Sequence, residues 1–108
     1  SLLPMPVRTE KLDIDIKYVP IDRVGGDYCH IDMVGDRYAV LTICDVSGHG
    51  VAAALLASRV NSHLRSQDLA TPDPWFITND LNDFLVTHFG ETGLFVTFLA
   101  AVIDLSEM

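Results

Sequence analysis

The residues with the most chemical promise form one run, Asp45-Val46-Ser47-Gly48-His49-Gly50. It closes an apolar stretch, Tyr38 to Cys44, and opens onto an alanine-rich segment that starts near Val51. A strand end fixes a carboxylate in place, and the glycines beyond it let backbone carbonyls approach a ligand closely. Carboxylate and carbonyl oxygens are the donors that hard divalent cations take, with water completing the shell. Asp45 and the backbone carbonyl of Val46 are therefore candidate cation ligands. The competing reading makes Asp45 a turn or helix-capping carboxylate that accepts backbone N–H groups. Asp27, directly after Gly25-Gly26, is a second candidate, and a strand-edge carboxylate is its simpler alternative. Each aspartate bounds one strand of a hairpin, so both can lie at one end of a sheet. Like charges that close repel unless a cation stands between them.

The other reactive side chains carry less. Ser47 is not a nucleophile of the esterase-elbow kind, which needs glycine two residues before and two after the serine. Here Gly48 and Gly50 both follow it. The same glycines fit neither a dinucleotide fingerprint nor a P-loop, since the spacing fails and no Lys-Ser/Thr follows. His49 sits in the turn, where it is either an exposed histidine or an auxiliary group that contacts phosphate or donates a proton. Gly48 shapes the same turn. His30 and Asp32 share a strand face, which predicts a hydrogen-bonded pair rather than a zinc site. His63 and His88 read as partly exposed helix residues with no special role. Cys29 and Cys44 read as reduced sheet residues, because a zinc site would want more ligands at short spacing.

The elements that must position these groups follow from periodicity. Residues 1–11, with Pro4 and Pro6, read as an extended lead-in. Leu12, Ile14, Ile16 and Tyr18 alternate with polar residues, as in a strand with one wet face. A strand is predicted from Asp27 to Val34, then a short turn at Gly35-Asp36, then an antiparallel strand from Tyr38 to Cys44 that is apolar on both faces and therefore central and buried. Val51, Leu55, Leu56, Val60 and Leu64 recur at helical spacing up to about Ser66, with small alanines suited to close packing on a sheet. Asp73-Pro74 starts a second helix with Ile77, Leu81, Phe84, Leu85 and His88 on one face and Gly90 as its cap. Leu94 to Ile103 is again strand-like. The order favours an α+β fold, an antiparallel sheet with two helices on one face.

Composition bounds the rest. The 108 residues suffice for one modest domain, and the 49% hydrophobic content argues for a packed core rather than disorder. A formal net charge of -8 disfavours nucleic acid and anionic membrane as partners. No run approaches the roughly 20 apolar residues of a membrane span. The start Ser1-Leu2-Leu3-Pro4 lacks the features of a signal peptide, so a cytoplasmic location is expected.

Two segments in this order and spacing, Val24-Gly25-Gly26-Asp27-Tyr28 and Asp45-Val46-Ser47-Gly48-His49-Gly50-Val51-Ala52-Ala53-Ala54-Leu55, resemble the SpoIIE/RsbU branch of the metal-dependent protein phosphatases, the PPM or protein phosphatase 2C family. The lead-in Ser1-Leu2-Leu3-Pro4 and Phe95-Val96-Thr97-Phe98 fit the same branch. The resemblance implies an α/β/β/α sandwich, of which this chain is the partial, N-terminal half of a single domain over residues 1–108. It implies two Mn²⁺ or Mg²⁺ ions, with Asp45 as the bridging and catalytic aspartate, Val46 ligating through its carbonyl, and Asp27 as the acidic residue of the first motif. The implied reaction is hydrolysis of phosphoserine or phosphothreonine by a metal-bound water. The implied substrate is a phosphorylated anti-anti-sigma factor, and the implied context is a signalling protein with an upstream receiver or sensor domain.

Two departures qualify the resemblance. His30 stands where the family pattern often has an aspartate. The family's downstream Asp-Gly and Asp-Asp motifs have no counterpart here, and Asp104 and Glu107 sit in another context, so low activity is expected of these 108 residues alone. An uncovered sheet face predicts homodimers. A catalytically inactive binding or dimerisation module is the alternative that His30 raises.

Overall fold

A computed structural model describes residues 5–17, 27–48 and 50–107 of the chain. Its main sheet has three antiparallel strands: β3 (Asp27–Val34), β4 (Tyr38–Val46) and β5 (Val96–Asp104), in the order β3-β4-β5. The predicted hairpin is present, with Val34 opposite Tyr38 and Gly35 at φ 59 in the turn between them. Only glycine adopts that backbone without penalty.

Residues 5–14 differ from the extended lead-in and the longer strand that the sequence predicts, and residues 1–4 of that lead-in lie outside the described residues. Val7–Arg8 (β1) and Asp13–Ile14 (β2) form a separate two-stranded hairpin, with Val7 opposite Ile14. Thr9 closes its loop by accepting the N–H groups of Lys11 and Leu12 on its hydroxyl. The alternation read from Leu12 onward survives as alternating burial along residues 11–17, with Tyr18 outside the described residues. Lys11 Nζ donates to the Leu105 carbonyl at 3.0 Å and ties the hairpin to the turn after β5.

Two helices, α1 (Gly50–Arg65) and α2 (Pro74–Phe89), pack on one face of the sheet. Asp73 caps α2 as its spacing predicts: its carboxylate accepts the Trp75 N–H at 2.9 Å, and Pro74 takes the first helical position. The inward stripe of α1 is rotated from the predicted one. Ala53, Leu56, Ala57, Val60 and Leu64 are buried, whereas Val51 and Leu55 are 71% and 62% exposed. The alanines win because a small side chain lets the helix axis approach the sheet, and the larger leucine two positions on is turned out.

Alternation along the strands sorts the two faces. Tyr28, Val40, Cys44 and Val46 pack with the helices in one core, joined by the half-buried Phe98, Ala100 and Val102. Asp27, Ile43, Asp45, Thr97 and Leu99 lie on the opposite face. β4 is central, as its apolar sequence predicts, but it is not buried on both faces: Ile43 is 52% exposed.

Candidate metal centre at the end of the sheet

The short turn at Gly35-Asp36 sets the register that brings Asp27 directly opposite Asp45. Beyond β4 the Ser47 N–H donates to the Phe95 carbonyl at 2.8 Å. Antiparallel ladders alternate, so toward β5 the pair Ser47/Phe95 is hydrogen-bonded and Val46/Val96 is not. On the β3 side the alternation reverses, and Asp27/Asp45 becomes a non-hydrogen-bonded pair. In such pairs the Cα atoms are closest, about 4.5 Å apart, and the side chains meet on one face.

The electrostatics follow from that proximity. The Asp45 carboxyl is raised above its ordinary value. A hydrogen bond to Asp27 is the largest cause, followed by loss of hydration and then by repulsion from the Asp27 charge. Asp45 thus holds a proton more readily than an isolated aspartate would, and a divalent cation would relieve the same crowding of charge. The Cys44 thiol is pushed up to about 12, first by burial and then by the charges of Asp45 and Asp27. It faces the helices and stays a neutral core residue, and both cysteines are free, as the sequence predicts.

The remaining sequence candidates separate clearly. Val46 is 2% exposed as a whole residue, with its side chain in the helix-facing core, so the side chain offers nothing to a ligand. Gly48 has φ 83, a turn conformation that disfavours other residues. His49 lies outside the described residues. His30 is opposite Thr42 and therefore on the helix-facing side, away from the aspartate pair. Its ring lies parallel to that of Tyr28 at 6.2 Å, and among the described residues no hydrogen bond joins it to Asp32, contrary to the predicted pair. Sharing a strand face places the two at adjacent positions but does not aim the ring at the carboxylate. His63, read as a residue without a role, instead meets Asp80 of α2 at 2.7 Å and stacks on Phe84 at 4.1 Å.

Two residues at this end of the sheet were not singled out for it by their spacing. Thr97 stands opposite Asp45 on β5, on the same face, and its hydroxyl lies 3.4 Å from the Asp45 carbonyl. Ser47 accepts the Phe95 N–H on its hydroxyl at 2.9 Å. Both relationships cross about half the chain, and only the tertiary register reveals them. A cleft of about 310 Å³ lies elsewhere, on the helix side beside Thr42 and Arg65, so the aspartate pair is not part of it.

With this geometry established, comparison with known proteins is decisive. A family model described as Stage II sporulation protein E (SpoIIE) matches residues 35–108. The chain belongs to the SpoIIE family. Asp45 and Val46 fall inside the matched span, and Asp27 precedes it. The fold is also similar to a solved structure described as the RsbU and RsbW domains of Rv1364c from Mycobacterium tuberculosis, with 27% identity and a TM-score of 0.65. That match covers 82% of this chain and 24% of the other. Among curated proteins no match was found. This SpoIIE chain therefore has an α+β fold similar to that solved structure, of whose chain it spans about a quarter. No helix among its described residues is long and apolar enough to cross a membrane.

The donor chemistry fits a hard cation in part. Two opposed carboxylates and a nearby carbonyl suit Mg²⁺ or Mn²⁺, which keep several waters when few protein oxygens are offered. Among the described residues no group of three or more His, Cys, Asp or Glu side chains converges on a cation position. The pair could supply only a share of one coordination shell.

Proposed function

We propose that this SpoIIE domain is a metal-dependent phosphoserine/phosphothreonine protein phosphatase, with Asp27, Asp45 and the Val46 carbonyl as cation ligands. The observation that carries the reading is the register pairing of Asp27 with Asp45. It sets two carboxylates against each other at one sheet end, inside a chain of this family. When bound, Mg²⁺ or Mn²⁺ supplies Lewis acidity and a water of lowered pKa. The chain's own residues hold and orient: Asp45 and Asp27 supply anionic oxygen, Val46 a neutral one, and the turn at Gly48 brings backbone close to the site. The substrate class we assign is a phosphorylated protein of the anti-anti-sigma type, in a cytoplasmic signalling pathway under an upstream receiver or sensor domain. The support is the resemblance in the two motifs and the likeness to a structure that contains RsbU and RsbW domains.

The alternative, an inactive binding module, draws on His30. Its position on the helix-facing side separates it from the aspartate pair, so the substitution leaves those two carboxylates in place. Phosphate release from a phosphoserine protein, measured with Mn²⁺ for the wild type and Asp45→Asn in the full-length protein, tests the proposal. Mn²⁺-dependent release that Asp45→Asn abolishes is the expected result. Equal rates remove Asp45 from the mechanism, and no release from either favours the binding module.

A further inference from the structure

Ser47 was excluded above as a nucleophile, yet it makes two bonds to one residue. Its N–H donates to the Phe95 carbonyl at 2.8 Å, and its hydroxyl accepts the Phe95 N–H at 2.9 Å. In a regular ladder that second N–H would go to the Ser47 carbonyl. The hydroxyl takes it instead, so the backbone after Ser47 is free to leave the strand into the left-handed turn at Gly48, φ 83. The strand therefore ends one peptide beyond Val46, with its last unit still clamped.

That last unit is the one that matters. The Ser47 N–H and the Val46 C=O belong to a single planar trans peptide and point in opposite directions. Because the N–H is aimed at Phe95 on β5, the Val46 carbonyl is aimed the other way, toward β3 and the side on which Asp27 lies.

We propose that Ser47 is a positioning residue that, through its clasp on Phe95, aims the Val46 carbonyl at a cation shared with Asp27 and Asp45. The inference rests on the cation site proposed above. Ser47 touches neither cation nor substrate. It acts by fixing one peptide plane, as partners behind metal ligands commonly do, and loss of such partners typically costs ten- to a hundredfold in metal affinity.

The test is Mn²⁺ binding to the chain, followed by the EPR signal of free Mn²⁺, for the wild type, Ser47→Ala, Ser47→Thr and Asp45→Asn. Urea denaturation without metal is measured alongside. The wild type is expected to bind, Asp45→Asn to lose binding, Ser47→Ala to bind about tenfold more weakly, and Ser47→Thr, which keeps the hydroxyl, to recover most of the affinity. Mn²⁺ is also expected to broaden the Val46 carbonyl ¹³C resonance in the wild type and less so in Ser47→Ala. If the wild type binds and Ser47→Ala binds equally well, the positioning role is overturned while the cation site stands. A stability loss in Ser47→Ala without a change in affinity has the same meaning. If the wild type binds no Mn²⁺, the cation site and the inference fall together.

Discussion

Asp27 and Asp45 face each other across the β3–β4 ladder as a non-hydrogen-bonded pair, and the Asp45 carboxyl is raised by a hydrogen bond to its partner. A raised folded-state pKa means that the stabilising contribution is present in full below the unfolded value, about 3.9, and is lost as pH rises through the folded one. At neutral pH without metal, the pair is therefore a net repulsion. Asp45→Asn should make the metal-free chain more stable at pH 7 by about 0.2–1 kcal/mol, the range for like charges directly opposite in a sheet. The gap should close on acidification. Urea denaturation across pH checks this, and a variant less stable than wild type at pH 7 would contradict it. Added Mn²⁺ should reverse the order, because only the wild type gains by binding.

His63 and Asp80 join the two helices at 2.7 Å, with Gln67 also donating to Asp80 and Phe84 stacked on the imidazole. The pair is only partly exposed, at 21% and 35% of the side chains, so it should count for more than a surface ion pair, discounted for the solvent that reaches Asp80. His63→Ala and Asp80→Ala should each cost about 1–2 kcal/mol. Their double mutant should cost less than the sum, with a coupling of at least about 0.5 kcal/mol. Additive effects in a denaturation cycle would show that the contact contributes nothing.

What the sequence revealed was local or fixed by a short turn. Asp73-Pro74 announced the start of α2 because cap and first turn are neighbours in the chain. Asp27 opposite Asp45 was legible because both are equidistant from the hairpin turn, and one tight turn sets the whole register. The inward face of α1 was misread at Val51 and Leu55, since hydrophobic size and not closeness of approach guided the choice. His63–Asp80 and Ser47–Phe95 were invisible, because each joins distant elements and no periodicity encodes which side chains meet there.

Gly90 is the C-terminal cap of α2 that the sequence predicts, and it ends the helix in a right-handed conformation, φ -61. Its reason for being glycine is space: a Cβ there would stand 2.6 Å from the Val86 carbonyl oxygen. Gly→Ala changes at permissive dihedrals usually stabilise by about 0.4–1 kcal/mol. Gly90→Ala should instead lower the thermal midpoint, because the backbone has to shift to relieve the contact. An unchanged or raised midpoint would show that the end of α2 yields freely.

Arg37 grips Asp104 with both prongs of its guanidinium, at 3.1 and 3.0 Å, closing the turn between β3 and β4 onto the end of β5. Ser106 donates its N–H and hydroxyl to the same carboxylate. The arginine first, and then Ser106, hold the Asp104 carboxyl well below the usual carboxylate range. A depressed folded-state pKa stabilises above the unfolded value, about 3.9, and that stability drains away as pH falls toward the folded one. This is the opposite sign to Asp45. Asp104→Asn should therefore flatten the loss of stability between about pH 4 and pH 2, while leaving the Asp45 effect in place. The pair is exposed, so the Asp104→Asn difference at pH 7 should shrink in 1 M salt, where screening reaches about 3 Å. An acid limb that is just as steep in Asp104→Asn would assign acid sensitivity to other carboxylates.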